Sequence, residues 1–333
     1  MNKYLRWTIR LIGPALLIVF LWRSDFGQIL ASLRDIALSP LLLSLALMPF
    51  FVVVKTWRWN LLMRELGLQP PPLGYSAALY TIGLFLGGTT PGQSGDFVKA
   101  WYLRERGQPL APVLFSIVLD RLFDFLVMAV LALLALTSFI DVLPESAQVA
   151  TIAFAAIVIL LTPSLMARGP REWLMNRALP LAPGRVRVTL ERWRDQFAAL
   201  TLRPGLLINL MIATTGSAIS TMVRIYLLYL ALSLSNVPPL AIISSTALIA
   251  ILQALPISFA GIGVRDAILI AVLARYGYRQ ELALALSALF LLLNIEHIVI
   301  GFLVSLRYPL GSAPTPDSSA EGEGRGARGE GLE

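Results

Sequence analysis

Long apolar runs separated by short polar stretches dominate the chain. In order, the runs cover residues 11–22, 38–54, 73–86, 113–140, 149–166, 205–234, 240–255, 264–274 and 282–306. A helix of about 20 apolar residues crosses the roughly 30 Å hydrocarbon core of a bilayer. The pattern therefore predicts an all-α, polytopic integral membrane protein with eight or so hydrophobic segments.

The composition agrees with this class. Hydrophobic residues make up 57% of the chain and charged residues only 14%, which lies outside the range of soluble globular proteins. A chain of 333 residues has room for these spans but not for a second folded soluble domain. We expect residues 1–310 to form one transmembrane domain. The Gly-, Ser-, Pro- and Glu-rich segment 311–333 is typical of a disordered tail.

Two pairs of runs are interrupted by stretches rich in Gly and Pro. The first pair is 73–86 and 97–103, and the second is 240–255 and 264–274. In each pair the second piece is too short to cross the bilayer at 1.5 Å per residue. We expect the breaks to form hairpin tips that gate a path, with these residues at the tips: Pro91, Gly92, Gly95, Pro256, Gly261 and Gly263.

The distribution of loop charges predicts the topology. Segment 167–204 holds eight arginines against three acids and should be cytoplasmic, whereas 141–147 and 235–239 contain no Lys or Arg and should lie outside. Both ends of 73–106 then face the cytoplasm and both ends of 239–275 face outside. We therefore expect about six full spans plus two oppositely oriented re-entrant hairpins. Both termini would be cytoplasmic in a bacterial-type cytoplasmic membrane.

The two interrupted pairs are also similar in sequence. Setting Asp96 on Asp266 brings Gly107 onto Gly277. Similar motifs that enter from opposite faces are what an inverted repeat predicts. Broken helices inside a bilayer are tolerated where the freed backbone groups face protein or a wet cavity. The tips are therefore candidates for a binding site.

Three motifs carry a resemblance to a known family. They are "PGQSGDFVKAWYLRERG" from Pro91, "LDRLFD" from Leu119 and "LPISFAGIGVRDA" from Leu255. The chain resembles, over about residues 5–308, the lysylphosphatidylglycerol synthase transmembrane-region family, also called flippase-like or UPF0104 proteins. The resemblance implies a lipid-translocating membrane domain. Full-length synthases add a cytoplasmic aminoacyl-transfer domain, and since this chain stops shortly after Tyr308, we do not expect synthase activity.

Ionisable residues inside the predicted spans and hairpins are the candidates for binding the lipid headgroup, because such residues are costly in a membrane. They are Asp96, Lys99, Asp120, Arg121, Asp124, Arg224, Arg265, Asp266 and Glu296. By hypothesis, Arg224, Arg265 and Lys99 engage a phosphate, and the aspartates shape the polar path. Segment 120–124 carries a net charge of minus one, so we expect Arg224 or Arg265 to approach it.

Simpler roles stay open for several candidates. Asp96 could only cap the returning half-helix, and 120–124 could be a self-neutralised packing cluster. Arg224 could snorkel to the interface. Glu296 with His297 could relay protons or form a plain interhelical hydrogen bond. The apolar spacing within 186–200 predicts an interfacial helix on the anionic inner leaflet.

Other features narrow the function. The chain has no Cys and one His, which disfavours thiolate chemistry and metal or other cofactors, and the net charge of +7 lies mostly in loops rather than in a nucleic-acid-binding patch. "GQSG" lacks the spacing of a nucleophile elbow. We therefore expect no enzyme but a flippase-like transporter of an anionic, phosphate-bearing lipid: a phospholipid, a polyprenyl-phosphate-linked lipid or a hopanoid-type lipid. The alternative is a non-catalytic accessory or scaffold subunit that delivers lipid to a lipid- or glycan-modifying partner enzyme.

Overall fold

The computed structural model describes residues 36–141, 145–181, 204–254 and 264–310, together with positions 34, 143, 187 and 191. All regular secondary structure in these ranges is helical. Several sequence-based predictions lie outside the described residues: the first span 11–22, the amphipathic run 186–200, the tail 311–333, and the second tip with Pro256, Gly261 and Gly263.

The helices follow one another through short connections. They are α1 Leu38–Ala46, α2 Met48–Glu65, α3 Leu73–Thr89, a 3-10 helix Pro91–Phe97, α4 Val98–Glu105, α5 Leu110–Phe139, α6 Glu145–Met166, α7 Arg168–Ala178, α8 Pro204–Ala231, α9 Pro239–Ala254, α10 Val264–Arg275 and α11 Gln280–Arg307. A second 3-10 helix, Leu179–Leu181, follows α7. The break between α1 and α2 falls beside Pro49, which has no N–H to continue the hydrogen bonding of α1.

Four helical segments within the described ranges are long and apolar enough to cross a membrane. They are Leu38–Glu65, Glu145–Met166, Gly205–Ala231 and Gln280–Arg307. Helix α5 has 30 residues, about 45 Å of helix, but carries three charged residues in its first half. The all-helical, polytopic class predicted from the apolar runs is confirmed.

The distribution of polarity is the reverse of that in a soluble protein. Leu160, Ile157 and Ile208 are at least 60% exposed, while Arg58 and Lys99 are fully buried. Large apolar side chains on the outside are stable where the surroundings are lipid, and charges are then held inside by partners.

Helix α3, the 3-10 helix and α4 form a helical hairpin, which we call hairpin 1. At its base the Arg106 guanidinium lies 3.8 Å from the centre of the Tyr75 ring, and Gln108 donates a hydrogen bond to the Gln69 carbonyl. Near its tip, Gly95 packs on the backbone of Leu86: a Cβ at this position would lie 2.2 Å from the Leu86 carbonyl oxygen. Only glycine fits this approach, so the predicted tip glycine has a structural reason.

Helices α9 and α10 pack together as a second helical hairpin, hairpin 2. Its base is closed by a hydrogen bond from the Asn236 backbone N–H to the Tyr278 hydroxyl. Both hairpins end at a left-handed glycine, Gly107 with φ 79° and Gly277 with φ 80°. In both turns the glycine N–H and the next N–H bond back to the last helical turn in the same way. The two glycines that the alignment paired therefore have the same backbone role.

Each of two long helices packs against the hairpin of the other half of the chain. Helix α5 follows hairpin 1 along the chain but packs against α9 of hairpin 2, and α11 follows hairpin 2 but packs against α3 of hairpin 1. The second contact is close, because a Cβ on Gly301 would lie 2.4 Å from the Phe85 Cβ. Each hairpin is thus held by a long helix that belongs to the other half of the chain.

Candidate functional site

Two groups of buried charged residues lie inside the bundle. The first cluster is on α2, hairpin 1 and α5 and consists of Lys55, Arg58, Asp96, Lys99, Asp120, Arg121 and Asp124. The second cluster is on α8, α10 and α11 and consists of Arg224, Arg265, Asp266 and Glu296, with His297 beside them. Every predicted ionisable site residue belongs to one of the two clusters.

In the first cluster, two acids one turn apart on α5 face two cations on α2. The Arg58 Nε donates to Asp120 Oδ1 at 2.8 Å, and its Nη2 lies 2.7 Å from Asp124 Oδ1. Lys55 Nζ lies 2.6 Å from Asp124 Oδ2. Buried charges of opposite sign at these distances compensate each other's lost hydration.

This pairing corrects the prediction that Arg224 or Arg265 would neutralise segment 120–124. The cations come from Lys55 and Arg58, which are buried inside α2. Our topology prediction treats both as loop charges on the cytoplasmic side, because the apolar run ends at residue 54. The helix, however, continues for another three turns to Glu65. The three-residue spacing of the two cations, which places them on one helix face, was the signal that could have found them.

Asp96 joins the tip of hairpin 1 to α5. Its carboxylate lies 2.9 Å from Lys99 Nζ and accepts a 2.9 Å hydrogen bond from Arg121 Nε. Arg121 also donates to the Gln93 side-chain oxygen at 2.7 Å. Gln93 has φ 56°, a left-handed conformation that is unfavourable for a non-glycine residue, and this hydrogen bond helps to hold it. The caps of the 3-10 helix and of α4 contain no side-chain hydrogen bond, so Asp96 serves ion pairing rather than capping.

The Lys99 ammonium is enclosed by aromatic rings. It lies 4.2 Å from the centre of the Tyr80 ring and 4.8 Å from that of Trp59, and none of its surface is exposed. The Tyr80 hydroxyl donates to Asp120 Oδ2 at 2.8 Å. Cation–π contacts and a buried carboxylate together hold the charge without water. Tyr80 thereby links the Asp96 pair to the α2–α5 pairs in one network.

In the second cluster, Arg224 is held on all sides. Its Nε donates to the Ser44 carbonyl at 2.9 Å, Nη1 lies 3.0 Å from His297 Nε2, and Nη2 is paired with Glu296. The Ser44 hydroxyl donates in turn to the Arg224 carbonyl. Arg224 therefore points inward and ties α1 and α8 to α11, rather than snorkelling to the interface.

Arg265 is held at one edge only. Its Nε donates to the Ser287 hydroxyl at 2.7 Å, and Ser287 donates to Asp266, whose Oδ1 lies 3.9 Å from Arg265 Nε. Arg265 is 2% exposed, and its Nη1 has no hydrogen-bond partner among the described residues. A buried guanidinium with an open donor is costly unless another group completes it.

Two adjoining cavities lie between the clusters. The larger, of about 280 Å³, is lined by Lys55, Gln93, Arg121 and Asp124, and the smaller, of about 180 Å³, by Arg224 and Arg265. Both cavities share these wall residues: Phe51, Met128, Thr221, Ala250, Asn294 and His297. Charged residues of the first cluster thus line one cavity, and charged residues of the second cluster line the neighbouring one.

Some of the predicted site residues line a cavity, and the others hold them in place. Arg121, Asp124, Arg224 and Arg265 line a cavity. The others lie behind the walls. Asp96, Asp266 and Glu296 pair with the wall residues Arg121, Arg265 and Arg224. Lys99 and Asp120 are one step further back, where they pair with Asp96 and Arg58. Sequence reasoning missed Lys55, Arg58 and the cavity-lining role of Gln93.

The fold and the site define a polytopic helical membrane protein with charge-lined cavities in its interior. Residues 10–301 match the family model described as the lysylphosphatidylglycerol synthase TM region. Because the match covers most of the chain, the protein belongs to this family, as the three motifs predicted. A comparison with curated proteins found no match. Membership in the family indicates a function connected with membrane lipids.

Proposed function

We propose that this protein moves a phosphate-bearing lipid between the leaflets of a bacterial-type cytoplasmic membrane. The two adjoining cavities carry the proposal, because both are lined by charged side chains and would give a charged headgroup a route through a bundle whose outer surface is apolar. The acyl chains would stay in the surrounding lipid while the headgroup passes inside.

The hairpins support this function if they are re-entrant. Helix α3 has 17 residues and α4 has eight, about 25 Å and 12 Å of helix, so both are shorter than the roughly 30 Å hydrocarbon core. Hairpin 1 returns to its own base, and so does hairpin 2. Along the chain, three helices of at least 22 residues lie between hairpin 1 and hairpin 2, namely α5, α6 and α8. If each of them crosses the membrane once, the two hairpins enter from opposite faces. In transporters, binding sites lie between such elements.

The charges in the cavity walls suit a phosphate. Lys55 and Arg121 face the larger cavity, and Arg121 donates to Asp96 and Gln93 through Nε and Nη1. Arginine and lysine are the side chains that recognise phosphate oxygens, arginine through its planar fork. We place the headgroup phosphate at Arg121 and Lys55 when the lipid occupies the larger cavity.

The proposal involves no covalent chemistry on the lipid. The single histidine, His297, is held by Arg224, and no described hydroxyl group is hydrogen-bonded to it. A histidine activates a hydroxyl nucleophile only within hydrogen-bonding reach, so His297 supports no such role among the described residues. The function we propose is transport.

Reconstitution tests the proposal. The full-length protein is placed in liposomes with a fluorescent phosphatidylglycerol, and its movement between leaflets is followed by chemical quenching of the outer leaflet. We expect movement of the phosphate lipid that protein-free liposomes do not show, and a strong loss with Arg121→Gln. Arg104→Gln, an exposed residue on α4, is the matched control and should behave like the wild type.

Two results would contradict the proposal. One is a failure to move phosphatidylglycerol, polyprenyl-phosphate and hopanoid-type lipids by protein that is correctly folded. The other is equal movement by the Arg121→Gln variant and the wild type. Co-purification of folded, transport-inactive protein with a lipid- or glycan-modifying enzyme would favour an accessory subunit instead.

A further inference from the structure

The smaller cavity has a wall unlike that of the larger one. Its described lining includes Arg224 and Arg265 but no aspartate or glutamate, whereas the larger cavity has Asp124 in its wall beside Lys55 and Arg121. The carboxylates of the second cluster, Glu296 and Asp266, lie behind the cavity wall. A space faced only by cationic charge favours an anion.

The two arginines are not equivalent there. All three nitrogens of the Arg224 guanidinium are engaged by Ser44, His297 and Glu296. Arg265 donates through Nε to Ser287, and its Nη1 has no partner among the described residues although the side chain is almost completely buried. Of the two arginines, Arg265 is therefore the one with an N–H group that can still donate a hydrogen bond to a ligand.

A hydroxyl in the same wall is also unpaired. In helices, Thr56, Thr81 and Thr214 donate their hydroxyl hydrogen to the carbonyl four residues earlier, which is the usual solution for a buried threonine. Thr246 on α9 is 4% exposed and lines the smaller cavity, but its Oγ1 has no hydrogen-bond partner among the described residues. Two buried donors without a partner among the described residues, Arg265 Nη1 and the Thr246 hydroxyl, thus belong to side chains that line the same cavity.

We infer that the smaller cavity is an oxyanion site in which Arg265 Nη1 and the Thr246 hydroxyl bind phosphate oxygens. The ligand chemistry is that of a phosphate group, carried either by a lipid headgroup or by free inorganic phosphate. The volume of about 180 Å³ far exceeds the roughly 10–15 Å³ that one water needs, so a phosphate with some water fits. Arg224 positions the wall and does not bind the phosphate, which narrows the earlier hypothesis to Arg265.

As a lipid site, this inference rests on the proposed transport function and adds a second position to the route. The first position lies at Lys55 and Arg121 in the larger cavity, and the second at Arg265 and Thr246. The wall residues shared by the cavities, including Phe51 and His297, lie between them. A headgroup would then pass between two cationic positions, one on each half of the chain.

Equilibrium binding to the purified full-length protein in detergent tests the site. The probes are dihexanoyl phosphatidylglycerol, inorganic phosphate and dihexanoylglycerol, the last of which lacks a phosphate. We expect Arg265→Gln to raise the dissociation constant of the phosphate probes by about tenfold or more, since it removes the charge and the open donor. Thr246→Val keeps the shape of the side chain and should raise it several-fold.

Arg275→Gln is the matched control. It lies on the same helix as Arg265, but it is exposed at the base of hairpin 2, where it pairs with Asp141, and it should not change binding. Thr246→Val leaves every charge in place, so it tests the site even if Arg265→Gln fails to fold. Unchanged phosphate binding by folded Thr246→Val and Arg265→Gln, or no binding of either phosphate probe by the wild type, would overturn the inference.

The same measurements distinguish a lipid headgroup from free phosphate as the ligand. They also distinguish an error in the proposed site from an error in the proposed transport function. Binding of dihexanoyl phosphatidylglycerol in competition with inorganic phosphate supports a headgroup site. Binding of inorganic phosphate alone supports the oxyanion site but contradicts its place in a lipid route. If the wild type moves lipid in liposomes while Arg265→Gln binds and moves it equally well, the site is wrong and the transport function stands.

Discussion

In the first half of the molecule, made of α2, hairpin 1 and α5, the turn that follows α2 contains Gly67. In the second half, made of α8, hairpin 2 and α11, the turn that follows α8 contains Ser233. Both residues have positive φ, 71° and 56°, and both turns bond back to the last helical turn in the same way. The interval between these turns equals the interval from Arg58 to Arg224. The two halves therefore share a backbone plan and place a buried arginine at the same point of it.

The halves differ in what surrounds the tip carboxylates. Asp96 and Asp266 correspond, and the interval between them equals that from Gly107 to Gly277. In this frame the two cations that hold Asp96, Lys99 and Arg121, are replaced in the second half by Leu269 and Leu291. Gly95 is replaced by Arg265. In the first tip the charge of Asp96 is neutralised by Lys99 and Arg121. The second tip carries Arg265, whose Nη1 has no hydrogen-bond partner among the described residues.

The comparison shows how one plan can serve two tasks. Buried ion pairs that lie behind the cavity wall, such as Arg58 with Asp120 in the first half, fix a geometry. A buried cation with an open donor, as in the second half, is costly until an anion arrives. We therefore expect the loss of these supporting pairs in the first half to affect folding most, and changes at Arg265 in the second half to affect binding.

The largest expected effect concerns the orientation of the two hairpins. The chain has no cysteine, so single cysteines can be introduced as specific labels. Arg104 lies near the base of hairpin 1 and Asn236 lies at the base of hairpin 2. Because each hairpin returns to its own base, the two positions should lie on opposite faces of the membrane. A membrane-impermeant maleimide should label the Asn236→Cys variant in intact cells and leave the Arg104→Cys variant unlabelled. A cysteine at Arg177 should also stay unlabelled until the cells are opened. Labelling of both hairpin bases from outside would contradict the inverted arrangement.

The next effect separates the two equivalent arginines. Arg58→Met leaves Asp120 fully buried without its cation, and we expect a loss of about 3–5 kcal/mol in the free energy of unfolding, seen as low yield of folded protein. Arg224→Met should cost less, because Glu296 is partly exposed and can take up a proton. Adding Asp120→Asn to Arg58→Met should recover part of the loss. Equal yields of the two single variants would remove the distinction between the halves.

Replacing the two tip carboxylates gives a smaller contrast. Asp96→Asn leaves Lys99 and Arg121 close together without their shared anion, and we expect a loss of about 3 kcal/mol. Asp266→Asn should cost about 1 kcal/mol or less, since a quarter of its side-chain surface is exposed and its ion pair with Arg265 is long. Thermal unfolding of the purified variants measures both. A larger loss for Asp266→Asn would reverse the proposed division of tasks.

The smallest expected effect tests the shape of hairpin 1. Gly95→Ala places a methyl group against the Leu86 carbonyl, and we expect a cost of about 1–3 kcal/mol, because the backbone must shift to make room. Gly74→Ala on α3 meets no atom within 4 Å and should leave the protein as stable or slightly more stable. Thermal unfolding followed by tryptophan fluorescence compares them. Equal melting temperatures would mean that the tip is looser than the close contact implies.

The apolar runs predicted the helices well because membrane helices need continuous hydrophobicity, which is readable along the chain. The alignment of Asp96 with Asp266 paired Gly107 with Gly277, and the structure gives both glycines the same role because left-handed helix ends favour glycine. The partners of Asp120 and Asp124 could not be assigned in the same way. Ion pairing between helices depends on their relative rotation and depth, and Lys55 and Arg58 also resemble flanking charges at the end of a span.

The crossed packing of the long helices has a consequence for biosynthesis. Helix α3 emerges early from the ribosome, yet its packing partner α11 is the last helix described, and the two meet at Phe85 and Gly301. At about 5–20 residues per second, translation of the intervening chain takes on the order of tens of seconds. During that time hairpin 1 lacks the helix that covers this wall in the finished protein. Until the final helix arrives, the wall must face lipid or the insertion machinery.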